Sequence, residues 1–408
     1  MPWIKFLLLA LLVLGPALPT RAQPGTQTAE YQLINLINRY RRTMHMPTLQ
    51  FDVPASEVAR QHSQEMLKDN FFSLESPQHG SLEYQLTYAR ISGHPQHTFI
   101  ALDYGVPNIF SQLQQNPALL SPEVTHAAVG IASGQHPKYG SAMWATVILL
   151  QYMAQLEFVP RTAQPGQVLR LQATLAPGYI NPRLPVTVPY GQVLTFYPTR
   201  YQGARVWFEV PLRQGKGRYT LELLLDKPGQ GPRVATILPL YVGVGYPLKE
   251  PAQNNETAPN FANTDEAAQY LLQRVNQARQ KYGLRSLESD PLLTYVAWHH
   301  SADMARRKFF AHVNPDGEDP NARFRRQGGH GMVGENIAYD SSIEAAHNRL
   351  MNSPGHRANI LQDDYTHIGV GVYFDGGHYY VTQLFQRRSR EVAGKQRLSW
   401  KGYSALNL

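Results

Sequence analysis

Apolar residues recur with two different periods along this chain, and the changes of period mark out its parts. From Asn263 to Phe310 the spacing is helical. Leu271, Leu272, Val275, Ala278 and Tyr282 share one face, Asn263 is placed as the cap with Glu266 three residues on, and Gly283 ends the run. Asp290-Pro291 opens a second helix, in which Leu293, Ala297, His300 and Met304 recur toward Phe309-Phe310. A short third helix is predicted from Ser342 to Met351, stopped by Ser353-Pro354-Gly355. The period then falls to two: His367 to Tyr373 and Tyr379 to Phe385 alternate around Asp375-Gly376-Gly377, which reads as a hairpin. Helices first and a hairpin last predict an α+β layered fold, with polar residues gathered where helices meet strands.

The middle of the chain, residues 158–246, alternates almost throughout. Leu169, Leu171, Ala173 and Leu175 form one such run, Tyr219 to Leu225 another and Val234 to Val242 a third, punctuated by Pro165-Gly166, Pro177-Gly178 and Pro228-Gly229. A small antiparallel β-sandwich is expected there, without candidate chemistry. Residues 247–264 lack periodicity, are rich in Pro and Asn, and read as a linker.

An internal repeat organises the rest. Without gaps, Leu33–Leu74 aligns with Leu271–His312, and 12 of the 42 pairs are identical, among them Asn38 with Asn276, Arg41 with Arg279, Asp52 with Asp290, His62 with His300 and Ser63 with Ser301. Chance would give roughly two or three. Thr125 to Gly130 echoes Thr366 to Gly371. Two related domains are therefore expected, residues 23–157 and 265–388, on either side of the sandwich.

Lys5, the apolar run Phe6–Leu14 and the stretch to Ala22 predict a signal peptide over residues 1–22, too short to span a bilayer. An exported protein, periplasmic or secreted and of bacterial type, is the expectation. The chain has no cysteine, so packed cores rather than disulfides must hold it. The 38 Lys and Arg against 30 Asp and Glu give a net charge of +8, concentrated in part in a basic tail, residues 389–408. No basic run is interleaved with aromatics, so nucleic acid is not an expected partner, and no transmembrane segment is expected in the mature chain. The 408-residue length fits several domains.

Candidate chemistry collects in the second repeat: His312 after the second helix, Glu335 in Gly334-Glu335-Asn336-Ile337-Ala338, and His356 in Ser353-Pro354-Gly355-His356-Arg357. Two imidazoles from separate segments can hold a divalent ion, and a nearby carboxylate can take a proton from its water. His299, His300 and His367 read as structural, because His62 and His126 repeat the latter two in the first copy. No phosphate-binding loop, dinucleotide fingerprint, zinc-protease helix or serine elbow is present.

Phe309-Phe310-Ala311-His312, Asn314-Pro315-Asp316-Gly317, Gly334-Glu335-Asn336-Ile337-Ala338, Met351 to Arg357, and Ile368 to Val372 with Val381-Thr382-Gln383 occur in an order that resembles the bacterial branch of the CAP superfamily. This is the family of cysteine-rich secretory proteins, antigen 5 and pathogenesis-related proteins, also called the SCP domain. The resemblance implies an α-β-α sandwich whose cleft holds a divalent ion, zinc foremost, between His312 and His356, with Glu335 as the first cleft glutamate. It places Asn336 and Gln383 beside the cleft as ligand contacts. Leu350 stands where other branches carry a tryptophan and Ser353 where they carry a second glutamate, and Glu344 does not fit the motif. With two ligands the ion should bind weakly and keep several waters. Glu335 is then a catalytic general base, an orienter of a histidine, or an acceptor that fixes a loop.

The first repeat has Leu74 at the place of His312, lacks the Gly-Glu-Asn-Ile signature between Gly93 and Asn108, and is shortened after Asn116-Pro117. It reads as a degenerate copy without a metal site. The expected function is an exported CAP-domain protein whose C-terminal cleft binds a divalent ion and a lipid, peptide or glycan of the extracellular space or cell envelope. The alternative is a metal-assisted hydrolase of peptide or cell-wall amide bonds. Oligomeric state is left open.

Overall fold

Helix starts in the second repeat are set by side chains that satisfy the free N–H groups of a first turn. Asn263 Oδ1 accepts from the backbone of Asp265 and Glu266 at 3.0 and 2.9 Å, opening the helix Thr264–Lys281, and the Glu266 carboxylate reaches back to the N–H of Ala262. Gly283 follows in the left-handed conformation, φ 69°. Asp290 caps the helix Pro291–Arg307 by accepting from Leu293 N–H at 2.8 Å. The computed structural model describes residues 24–136, 140–247 and 261–388. The expected leader and basic tail, and most of the expected linker, lie outside the described residues.

By its internal contacts the chain divides into two compact units, residues up to 228 with 232–254, and residues 229–231 with 255 onward. The second unit contains a four-stranded sheet in the order Glu288–Ser289, His367–Asp375, His378–Gln386, Val333–Asp340. The first pairing is parallel and the others antiparallel. The expected hairpin turn is present: Asp375 pairs with His378, and Gly376 and Gly377 both take positive φ, 60° and 91°, as a tight two-residue turn requires.

One face of this sheet carries Ile368, Val370, Val372, Val381 and Phe385, packed with Leu271 and Val275 of the first helix and Ala346 and Leu350 of the helix Ile343–Asn352. The other face lies under the helix Pro291–Arg307, where Leu384 packs with Leu293 and Val296. Gly369 and Gly371 let that helix approach: a Cβ on Gly371 would sit 2.0 Å from the backbone nitrogen of Trp298. The result is the layered arrangement of helix, sheet and helix.

The first repeat, in the other unit, is built with the same fastenings. Asn38 and Asn276 each bridge the backbone of a leucine, Leu49 and Leu287. The fully buried Arg41 donates to the carbonyls of Pro47, Leu119 and Ser121, and Arg279 to those of Arg285, Ile360 and Gln362. Ser63 and Ser301 donate to Gly130 and Gly371, both at 3.0 Å, and pair with Thr146 and Thr382. The polar identities along the sequence are thus residues that satisfy buried backbone groups, where a substitution leaves a polar atom stranded, and the apolar ones, such as Val58 with Val296 and Met66 with Met304, are buried in both repeats.

Within the same unit, two sheets enclose an apolar core that includes Leu171, Val186, Phe208, Leu223 and Leu240. The first strand of this region is Ala154–Leu156, which pairs with Val168–Leu175, so the sheet begins ahead of residue 158. The strand Ile180–Thr187 escapes the alternation argument because it contains Pro182 and Pro185. It is accommodated by a register irregularity between Ile180 and Arg183.

Candidate functional site

The candidate site forms along the edge strand Val333–Asp340 of the second repeat. Successive residues of a strand point to opposite faces. Glu335 therefore turns toward the helix Pro291–Arg307 and the loop after it, while Asn336 turns toward the helix Pro354–Ile360. Gly334 precedes them because a Cβ there would lie 2.2 Å from the Tyr365 hydroxyl. One histidine approaches the edge from each face.

His312 comes from the loop. Its Nδ1 lies 2.9 Å from Glu335 Oε1, and the other carboxylate oxygen accepts from Arg323 at 2.5 Å. Only 1% of the Glu335 side chain is exposed, so both oxygens are committed inside the protein. Burial alone would raise this carboxyl, but the Arg323 guanidinium, with His300 and His312, outweighs it and holds the group down at about 2. A carboxylate in that state can only accept, so His312 Nδ1 carries a proton and donates it to Glu335.

His356 opens the helix Pro354–Ile360, and its Nδ1 is 2.7 Å from the Ser353 hydroxyl. Burial, with His312 acting in the same sense, pushes this imidazole down to about 3, so it is neutral at pH 7. Ser353 stands where the resemblance implies a second glutamate, and it engages the second histidine as Glu335 engages the first. Each ring has its Nδ1 on a neighbouring oxygen, and with Nδ1 carrying the proton its Nε2 would be left for a ligand, the usual arrangement of imidazoles that hold metals. The donor set thus fits a two-imidazole divalent site. Among the described residues there is no group of three His, Cys, Asp or Glu placed to hold a metal ion. A closed protein cage is therefore not formed there.

Asn336 and Gln383, expected as ligand contacts, are wholly enclosed and work below the cleft. Asn336 donates to the carbonyl of His356 at 3.0 Å and to Gln383 Oε1 at 3.2 Å, and accepts from Asn359 at 2.9 Å. It holds the turn that carries His356. Glu344 is buried elsewhere, bound to Arg274 and Tyr270. His300 is buried with Nε2 on the carbonyl of Ala311, as His62 is on that of Ser73. His367 binds Thr366 as His126 binds Thr125, both at 2.8 Å.

Sequence reasoning missed Arg323. It sits on a short helix, Pro320–Arg326, and also donates to the carbonyls of His312 and Glu318 at 2.7 and 2.8 Å, tying the histidine loop to the carboxylate. A signal was available: Asp319-Pro320 repeats the cap and proline of Asp290-Pro291, and announces a helix.

In the first repeat the same register places other residues. Thr146 matches Thr382 through the paired serines, so Val147 stands at the place of Gln383, and its partners across the sheet put Phe99 at Asn336 and Thr98 at Glu335. Val147 and Phe99 belong to the apolar core. Hydrocarbon thus stands where the second repeat encloses Asn336 and Gln383.

The sequence pattern of the cysteine-rich secretory protein family, CAP, matches residues 34–152 and 272–385, together more than half of the chain. Among curated relatives, the uncharacterized membrane protein YlbC of Bacillus subtilis is 36% identical over 148 residues, covering 35% of this chain and 40% of its own. The uncharacterized protein YkwD of the same organism is 34% identical over 141 residues, covering 33% of this chain and 54% of its own. The chain thus spans about half or less of the length of these relatives. A solved extracellular SCP-domain protein from Bacillus anthracis aligns at 18% identity with a TM-score of 0.29, over 58% of this chain and 67% of that one. Both repeats match the same family pattern. The chain belongs to the CAP family of cysteine-rich secretory proteins.

Proposed function

We propose that this is an exported binding protein, whose second CAP repeat holds a divalent ion, zinc foremost, between His312 and His356. The ion would be presented to a lipid, peptide or glycan outside the cytoplasm without turnover. The observation that carries the reading is the lock on Glu335. A general base must meet a water, and this carboxylate is only 1% exposed, with its two oxygens turned onto His312 and Arg323 inside the protein. Glu335 is thereby a positioning residue, which holds a proton on His312 Nδ1 and aims the ring, and Ser353, whose hydroxyl can donate or accept, aims His356. A bound ion would supply Lewis acidity and an anchoring charge. The hydrolase reading loses its candidate base. Export rests on the expected leader, and among the described residues no helix is long and apolar enough to cross a membrane.

Zinc titration calorimetry of the full chain at neutral pH tests this reading. A single weak site is expected, abolished by His312→Ala and by His356→Ala, and weakened by about tenfold or more in Ser353→Ala. Binding indifferent to both histidines would overturn it. Amide or peptide turnover lost in Glu335→Gln with zinc retained would restore the hydrolase.

A further inference from the structure

Beside the helices Pro291–Arg307 and Pro320–Arg326 lies a cavity of about 450 Å³, whose lining includes Tyr295, His299, His300, Asp303, Arg323 and Gln327. Two buried polar atoms of that lining have no hydrogen-bond partner, His300 Nδ1 and Arg323 Nε. The rings and guanidinium that carry them are 1% and 4% exposed. His300 Nε2 lies 3.0 Å from the carbonyl of Ala311, which can only accept, so Nε2 carries the proton and Nδ1 offers a lone pair. Arg323 Nε–H is a donor. One orphan acceptor and one orphan donor are the complement of a hydroxyl group, which does both.

The first repeat shows the same ring with this place closed. His62 Nε2 is 2.9 Å from the carbonyl of Ser73, and the amide nitrogen of Gln85 lies 3.4 Å from its Nδ1. Gln85 and Arg323 occupy corresponding positions, since each donates to the carbonyl five residues earlier, Gly80 and Glu318. In the second repeat the side chain there is drawn to Glu335 instead, and the histidine loses its donor.

Charge narrows the class of occupant. Arg307 is paired with Asp303 and Asp316, Arg326 with Glu318, and Arg323 with Glu335. Arg306, the fourth cation of the lining, lies over the rings of Trp298 and Tyr373, and the other three are matched by carboxylates, so no unengaged cation of the lining selects an anion. What remains is a set of Asp, Asn, Arg and Gln side chains suited to hydroxyl groups. Beside them is the ring of Tyr295, 48% exposed and 4.2 Å from that of His299. We propose that this cavity binds a neutral pyranose, the terminal sugar of a glycan, with one ring hydroxyl between His300 Nδ1 and Arg323 Nε and one face against Tyr295. The cavity is within the size range of small-ligand sites. This inference stands apart from the two-imidazole reading.

Calorimetry of the full chain with glucose, galactose and N-acetylglucosamine, and with inorganic phosphate beside them, tests it. Saturable binding of at least one sugar, and none of phosphate, is expected. His300→Phe should abolish it. Because that side chain is buried and the variant may not fold, Tyr295→Ala is the second arm: sugar affinity should fall roughly two- to tenfold, with zinc binding unchanged. No sugar binding at millimolar concentration, the result for a cavity that holds only water, overturns the proposal. So does saturable phosphate binding, or an affinity indifferent to Tyr295→Ala. Sugars and zinc are separate probes, so failure of one site is distinguishable from failure of the other.

Discussion

Gly371→Ala is expected to unhinge the second repeat, at a cost of about 4 kcal/mol or more. The added methyl would lie 2.0 Å from Trp298 N, 2.2 Å from Ala297 C and 2.4 Å from Trp298 Cα, all backbone atoms that no rotamer change can move. The helix Pro291–Arg307 must then lift from the strand. Overpacking of this kind costs roughly 3 kcal/mol, and the lift also stretches the Ser301 bonds to Gly371 and Thr382, at about 1 kcal/mol each. Against a domain stability of roughly 5–15 kcal/mol, this is a large share. Hydrogen exchange read at the amides of His367–Asp375 and His378–Gln386 should accelerate, while the first repeat stays protected. Gly130→Ala, whose methyl would meet Arg60 N at 2.0 Å, should do the reverse. Unchanged protection in both variants would mean that these helices slide on their sheets.

Arg323→Leu should be nearly as damaging, for an electrostatic reason. It leaves the Glu335 carboxylate in a site that is 1% exposed with one oxygen unpaired, and breaking a buried pair from one side costs about 3–5 kcal/mol. Arg323→Leu with Glu335→Leu should recover much of the loss, since no charge is then stranded. The same pair sets the acid behaviour. Because the folded Glu335 carboxyl is held at about 2 against an ordinary 4.5, its contribution is fully present above pH 4.5. It is lost as pH falls from there to about 2, at roughly 3 kcal/mol in all. Burial holds His300 and His347 to about 4 against 6.5, so stability from neutral imidazole begins to fall already below pH 6.5. Acid unfolding of the second repeat followed by exchange should start in that range, and Glu335→Gln should remove only the lower part of the profile. A flat profile from pH 7 to 3 would contradict the buried network.

The helical and hairpin segments of the second repeat are legible in the sequence because each face is apolar on one side only, and because Asn263, Asp290 and Gly376-Gly377 mark the ends. The repeat is legible because its polar identities, Asn276, Arg279, Asp290 and Ser301 with their first-copy partners, bind backbone groups, and its apolar ones, such as Val296 and Met304, keep the same buried places. Arg323 is not, since an arginine on a short helix reads as a solvated surface residue until its partner across the fold is known. Ser353 is hidden for another reason: in Ser-Pro-Gly it reads as a turn residue and helix cap, which it also is. The burial of Asn336 and Gln383 depends on strand pairing, as does the filling of the first cleft by Phe99 and Val147. Neither the spacing nor the composition of a single chain reports which residues face each other across a sheet.

The strand that carries Glu335 is an outer strand, and such strands present unpaired backbone groups to any extended chain that passes. Here the short helices Pro320–Arg326 and Pro354–Ile360 supply side chains to two of those groups. Asn321 accepts from the N–H of Val333 at 2.8 Å, and Asn359 donates to the carbonyl of Glu335 at 3.2 Å. The segments that bring the two histidines together therefore also shield the sheet margin from strand addition. Loosening those contacts would uncover the sheet margin and favour pairing with a second chain.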